Sequence, residues 1–84
     1  NFHFGYLLDP NIPAERVTAE DLNHKLVARA LSMGGTCTGE HGVGVHKMGF
    51  LLDEAGAGAV DMMRAIKRAL DPKNILNPGK IFAL

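Results

Sequence analysis

The sequence predicts an α+β chain: one N-terminal strand, two main helices, a Gly-rich loop between them and a short C-terminal tail. Three observations carry this prediction. Phe2, Phe4 and Tyr6 alternate with Asn1, His3 and Gly5, which is the period of a strand. Apolar residues recur at helical spacing over residues 18–33 and again over 54–70. Between those runs, residues 34–49 hold six glycines, a density that suits neither helix nor strand.

The elements follow in order. Residues 1–8 read as the strand, with Phe2, Phe4 and Tyr6 facing a core and Asn1, His3 and Gly5 on an open polar face. Asp9-Pro10-Asn11-Ile12-Pro13 ends it with turn chemistry. The first helix is expected over 18–33, capped by Thr18 with Asp21 three residues on in a variant capping box. Its stripe is Ala19, Leu22, Leu26, Ala30 and Met33, widened by Val27 and Leu31, and Gly34-Gly35 stops it. The second helix is expected over 54–70, with Asp53 as a cap and Gly56 and Gly58 weakening its first turns. Ala59, Met62, Met63, Ile66, Ala69 and Leu70 form its expected buried stripe, and Lys67 and Arg68 suit its last turn. Asp71-Pro72 ends it. In Asn77-Pro78-Gly79-Lys80, Pro then Gly at the central positions signals a type II turn. Ile81-Phe82 is expected as a short terminal strand.

Size and charge bound the function. The 84 residues make one small domain at most. The chain begins with Asn inside a strand-like pattern, so the expectation is a fragment with further chain upstream. Nine basic and nine acidic side chains cancel, which removes the electrostatic case for nucleic acid as a partner. Cys37 is the single cysteine, so no internal disulfide can form. No apolar run approaches the ~20 residues of a membrane helix.

The chemistry-bearing residues concentrate in the loop. Glu40 and His41 are both ligands for divalent metals, and either can act as a base. Adjacent side chains diverge in extended backbone, so a division of labour is expected, one binding metal and the other facing substrate. Gly39, Gly42 and Gly44 let backbone and a cofactor come close. The plain alternative is a solvated surface loop. His3 joins the site only if Glu40 folds back beside it, and further metal ligands are then expected from outside the chain. His46 and Lys47 read as loop ends, since HExxH is absent and Lys47 is not followed by the Ser or Thr of a P-loop. Gly42-Val43-Gly44 is a poor dinucleotide fingerprint, because Lys47 stands where the third glycine belongs.

Three segments together carry a resemblance. Asn1-Phe2-His3 looks like the end of a Gly-Asp-Gly-Asn-x-His strand motif. Thr38-Gly39-Glu40-His41-Gly42-Val43-Gly44 looks like a glycine-rich active-site loop, and Asp71-Pro72-Lys73-Asn74-Ile75-Leu76-Asn77-Pro78-Gly79-Lys80 like a terminal signature. In order and spacing they resemble the C-terminal domain of FAD-linked oxidases. Within that group they resemble the D-lactate dehydrogenase and glycolate oxidase FAD-subunit branch of the vanillyl-alcohol oxidase superfamily. The resemblance covers essentially the whole chain.

That resemblance implies a larger flavoenzyme, with residues 1–70 as the last part of a cap domain and 71–84 as a tail returning to an N-terminal FAD-binding domain. It implies FAD and a divalent metal, usually zinc, as cofactors. His3 and Glu40 would be metal ligands and His41 the catalytic base. Asn77, Lys80 and Gly42 would approach the flavin. The reaction implied is oxidation of a 2-hydroxy acid to the 2-oxo acid by proton abstraction and hydride transfer. Gly5 stands where relatives acting on 2-hydroxyglutarate place a polar residue, which favours a small substrate such as D-lactate or glycolate. The fragment alone is expected to be inactive. The implied partners are the FAD-binding domain, an iron–sulfur or other electron-transfer subunit, and a second copy in a homodimer. The implied location is the bacterial cytoplasm or the mitochondrial matrix, peripheral to a membrane through electron-transfer partners. Two competing readings are a non-catalytic flavin-binding subunit and a metal-binding module. A purely packing loop would need neither His3 nor Glu40-His41.

Overall fold

A computed structural model describes residues 3–84. It contains two helices, α1 (Pro13–Ser32) and α2 (Met48–Leu70). Among the described residues there is no strand, so the α+β expectation is corrected to an all-helical fold with long irregular segments. Asn1 and Phe2 of the expected N-terminal strand lie outside the described residues. Residues 3–8 take no regular structure. Phe4 and Tyr6 do share a side, their rings meeting edge to face with centroids 4.9 Å apart, but Phe4 is exposed instead of facing a core. The physical reason is that a strand needs a partner ladder for its backbone groups, and no neighbour in the described chain provides one. The same reason removes the short terminal strand expected at Ile81-Phe82.

Helix α1 starts earlier than its apolar stripe suggests. Pro13 occupies the first helical position, where its fixed φ suits the helix and its missing N–H costs nothing. Ile12 precedes it without a side-chain cap, so the expected Thr18 cap is corrected. Thr18 sits inside the helix, its hydroxyl donating to the Ala14 carbonyl at 2.9 Å. Glu15, in the first turn, instead reaches back to accept the Asp9 N–H at 2.7 Å. Asp9 in turn accepts the Asn11 N–H at 2.9 Å, an Asx turn that aims the chain into the helix. Lys25 pairs with Asp21 one turn before it at 2.6 Å, an exposed pair worth about 0.3–0.5 kcal/mol.

The far end of α1 stops as expected. The Gly35 N–H bonds the Ala30 carbonyl at 2.8 Å and the Gly34 N–H bonds Leu31 at 3.1 Å. Gly34 has φ 77°. This is a Schellman motif, and the left-handed residue is where glycine carries no Cβ penalty.

Helix α2 begins at Met48, not at 54, and Asp53 is interior to it. The apolar run from Met48 to Leu52 is helical, and the weakness expected near Gly56 takes the form of a sharp break, with φ 79° and ψ 161°. An L-residue would be strained there. The buried stripe is also corrected. Val60 is the buried residue, with Met63, Arg64 and Lys67 half-buried, while Met62, Ile66 and Leu70 are exposed.

Only Val27, Cys37 and Val60 are buried apolar residues among those described. The helices meet where the His24 and Phe50 rings stand 4.8 Å apart, edge to face. The radius of gyration is 15.2 Å, against ~12 Å for a compact domain of this length. The chain is therefore an open scaffold, and what it positions is the segment between its helices.

Candidate functional site

The loop between the helices is held from both sides. After the Schellman stop, the Cys37 N–H donates to the Glu54 carboxylate on α2 at 2.8 Å. The Thr38 hydroxyl donates to the Gly42 carbonyl at 2.8 Å and accepts from the Lys47 ammonium at 3.3 Å. Thr38 thereby closes a tight turn with Glu40 and His41 at its tip. The Lys47 N–H then bonds Val43 at 3.2 Å and the Leu51 N–H bonds Lys47 at 3.1 Å, leading into α2. Sequence reasoning left Thr38 without a role, Lys47 as a plain loop end and Glu54 unmentioned. A threonine and a lysine flanking a glycine-rich turn were the available signal.

The turn brings Glu40 to the N-terminal segment. Glu40 Oε1 lies 3.0 Å from His3 Nε2 and 3.3 Å from His41 Nε2. The two imidazoles meet edge to face with centroids 5.6 Å apart. One donor atom from each of the three residues falls within 4.8 Å of the others, and all three side chains are exposed. Two imidazole nitrogens and a carboxylate oxygen at this spacing are a donor set for a divalent cation. His3, expected to join only if Glu40 folded back, does stand beside it. Glu40 and His41, expected to diverge, converge on one point.

The flavin-facing candidates are Gly42, next to His41 in the same turn, and Asn77 and Lys80 on the tail. Gly42 has φ 75° and open space where a Cβ would stand, so a flat ring can approach its backbone. Asn77 and Lys80 are exposed on the tail turn, where Gly79 has the φ of 71° that a type II turn requires. Tail and loop are joined directly, since the Ile81 N–H donates to the Gly44 carbonyl at 2.7 Å. A separate cavity of about 500 Å³ behind the loop is lined by Phe4, Leu26, Val27, Cys37, Thr38 and Lys47, among others. Neither His3, Glu40 nor His41 lines it.

Electrostatics around the site come from its braces. Burial, with the Glu54 carboxylate bonded beside it, pushes the Cys37 thiol up to about 11. Glu54 is held below the usual carboxylate range by the Cys37 N–H and then by its thiol. At the end of α2, Lys67 holds Asp71 below that range against the opposing effect of burial, helped by the Leu76 and Ile75 amides.

Comparison with known proteins gives a consistent result. Residues 1–81 match the family described as FAD linked oxidases, C-terminal domain. The chain is 53% identical to "D-lactate dehydrogenase [cytochrome], mitochondrial" of Arabidopsis thaliana, over 96% of this chain and 14% of the relative. It is 56% identical to "D-lactate dehydrogenase [cytochrome] 1, mitochondrial" of Saccharomyces cerevisiae, over 83% of this chain and 12% of the relative. It is 41% identical to "Glycolate oxidase subunit GlcD" of Bacillus subtilis, over 99% of this chain and 18% of the relative. The chain thus spans less than a fifth of the length of these relatives. No helix of the described residues is long and apolar enough to cross a membrane.

Proposed function

The chain belongs to the C-terminal domain family of FAD-linked oxidases, and on that premise we propose that it forms the metal-and-base side of a flavoenzyme active site that oxidises a small D-2-hydroxy acid. The observation that carries this reading is the convergence of His3, Glu40 and His41 within 4.8 Å. Zinc bound through ligands at about 2.0–2.2 Å in a tetrahedron has ligand–ligand edges of about 3.3–3.6 Å. The two ligands of this reading, His3 and Glu40, stand 3.0 Å apart, slightly inside that edge. For the flavin, Gly42 offers backbone without a Cβ, and Asn77 and Lys80 offer exposed polar groups on the joined tail.

When bound, FAD supplies the hydride acceptor for the substrate's α carbon and the divalent metal a Lewis acid for its hydroxyl and carboxylate oxygens. His3 and Glu40 would hold the metal. His41, beside Glu40, takes the hydroxyl proton at its imidazole as the α C–H bond gives up its electron pair. Gly5, two residues past His3, carries no side chain and has open space where a Cβ would be. A small acid such as D-lactate or glycolate suits that absence better than a second carboxylate needing a partner. Relatives carry D-lactate, glycolate and, at 40% identity, D-2-hydroxyglutarate in their names, so the absent side chain at Gly5 is what favours the smaller acids. Partners implied by the reading are the FAD-binding domain of the same protein and an electron-transfer subunit.

The test is His41→Ala in the full-length protein. FAD stays bound, while flavin reduction by D-lactate or glycolate falls by about 10²–10⁴ in stopped-flow absorbance, the range of a lost general base. Reduction at the parent rate with both acids would overturn the reading. A second reading rests on the 3.3 Å approach of His41 to Glu40, which makes His41 a third metal ligand. Elemental analysis of the same variant separates them: the base reading keeps the metal and the ligand reading loses it.

A further inference from the structure

The tail is braced far more heavily than a surface turn requires. Asp71 is buried at 6% exposure. Its Oδ1 accepts the Ile75 N–H at 3.0 Å and its Oδ2 accepts the Leu76 N–H at 2.9 Å. Lys67, one turn back on α2, pairs with the same Oδ2 and also donates to the Leu76 carbonyl. One carboxylate and one ammonium therefore fold residues 71–76 back onto the end of the helix. Buried carboxylates are tolerated where they are paired and hydrogen-bonded in this way.

The other end of the tail is fixed as firmly. The Ile81 N–H bonds the Gly44 carbonyl at 2.7 Å, the Phe82 N–H bonds Lys80 at 2.8 Å, and Arg64 Nε donates to the Ala83 carbonyl at 2.6 Å. The Lys80–Phe82 bond with Ile81 at φ 71° is a γ-turn of the rare, strained hand. All three non-glycine residues with positive φ among those described, Asn74, Asn77 and Ile81, lie in this tail. Strain of this kind persists only where its surroundings over-determine it, and it clusters at functional sites.

We infer that Asp71 and Lys67 are positioning residues that, together with the Ile81–Gly44 bond, set the Asn77–Lys80 turn in a fixed place beside the Glu40–His41 loop. The inference rests on the reading that Asn77 faces the flavin. Asp71 and Lys67 act through the backbone of 75–76, one residue before Asn77, and touch no reactant.

The test is a double-mutant cycle in the full-length flavoprotein, with Asp71→Asn, Asn77→Ala and the pair combined. Asp71→Asn keeps one acceptor but sets an amide N–H₂ against the Leu76 N–H and the Lys67 ammonium. Expected for each single variant is a shifted visible spectrum of the bound flavin and a kcat at least about tenfold lower. Metal content and KM for the hydroxy acid are unchanged. The combined variant is no worse than either single one, as for residues acting through one another. Multiplied losses, or a lower Tm with unchanged kcat and spectrum in Asp71→Asn, overturn the inference. An Asn77→Ala variant with parent spectrum and kcat overturns the flavin reading of Asn77 and the inference with it. An effect of Asn77→Ala without one from Asp71→Asn overturns the inference alone. Should Asp71→Asn not fold, Lys67→Gln leaves both amide bonds to Asp71 and takes its place in the cycle. The same outcomes are then expected at smaller amplitude.

Discussion

Glu40 Oε1 stands between two imidazoles, 3.0 Å from His3 and 3.3 Å from His41. A carboxylate so placed can bind a cation together with either ring or both. Replacing it with an amide of the same shape removes the charge but little else. Glu40→Gln in the full-length protein is therefore expected to weaken metal binding by at least about tenfold, the cost of altering even a partner one shell further out, and so to lower metal content. Elemental analysis of protein purified without chelator reads this out. Metal stoichiometry equal to the parent would remove Glu40 from the ligand set.

The Cys37 thiol, pushed up to about 11 by burial and by Glu54, is expected to resist alkylation at pH 8. A free thiol near 8.5 is partly thiolate there, and the thiolate is the reactive form. Iodoacetamide labelling followed by mass spectrometry should show slow modification of folded protein that accelerates only as pH nears 11. Glu54→Gln removes the charge beside the thiol and should shift that onset downward. Equal labelling of folded and urea-unfolded protein at pH 8 would contradict the placement of Cys37.

Gly35 has little room for a side chain. A Cβ there would lie 2.9 Å from the backbone carbonyl oxygen of Ala30, the same oxygen that accepts the Gly35 N–H. Gly35→Ala is expected to destabilise by about 1–3 kcal/mol, the usual cost of forcing atoms into packed space. A thermal unfolding midpoint unchanged from the parent would count against the Schellman geometry.

Asp71 gives a pH dependence with a definite sign. Its folded carboxyl titrates below the unfolded value of about 3.9 because Lys67 and two amides favour the charged form over the effect of burial. Its stabilisation of the tail is thus complete above that unfolded value. It is lost as pH falls through the lower folded value. Pepsin should leave residues 71–76 intact near pH 4.5 and cut them progressively towards pH 2. Cutting at one rate across that interval would mean that the carboxylate does not hold the tail.

Legibility in the sequence followed the range of the forces involved. Helices α1 and α2 were readable because their 3.6-residue pattern is local, and so was the Gly34-Gly35 stop. Asp9 to Pro13 looked like a turn running up to a helix at 18, yet Pro13 already begins it and Glu15 supplies the closing hydrogen bond. The N-terminal strand was misread because alternation of Phe4 and Tyr6 with His3 and Gly5 says nothing about whether a second strand is present to pair with. Met62, Ile66 and Leu70 look like a core stripe, but burial depends on a covering surface, and the described residues place none over them. At the site, residue type and the glycine-rich setting singled out Glu40, His41 and His3, and the resemblance assigned their roles. Their approach to one another depends on a turn closed by Thr38 and Lys47, which no periodicity marks. Lys67, though noted for the helix end, and Asp71 act by binding backbone amides and a carbonyl, which leave no trace in side-chain order.

The break at Gly56 divides α2 into two arms with different loads. The first carries Glu54, which grips the loop through Cys37. The second carries Lys67 and, just past its end, Asp71, which grip the tail. Because Ile81 returns to Gly44, the two arms, the tail and the loop form a closed linkage with Gly56 as its sharpest joint. A closed linkage cannot swing one member independently, so rotation at Gly56 must break the Ile81–Gly44 bond or one of the two grips, Cys37 on Glu54 or Asp71 on residues 75–76. On the proposed function, admitting or releasing a small acid by rotation at this joint would then cost at least one of those hydrogen bonds.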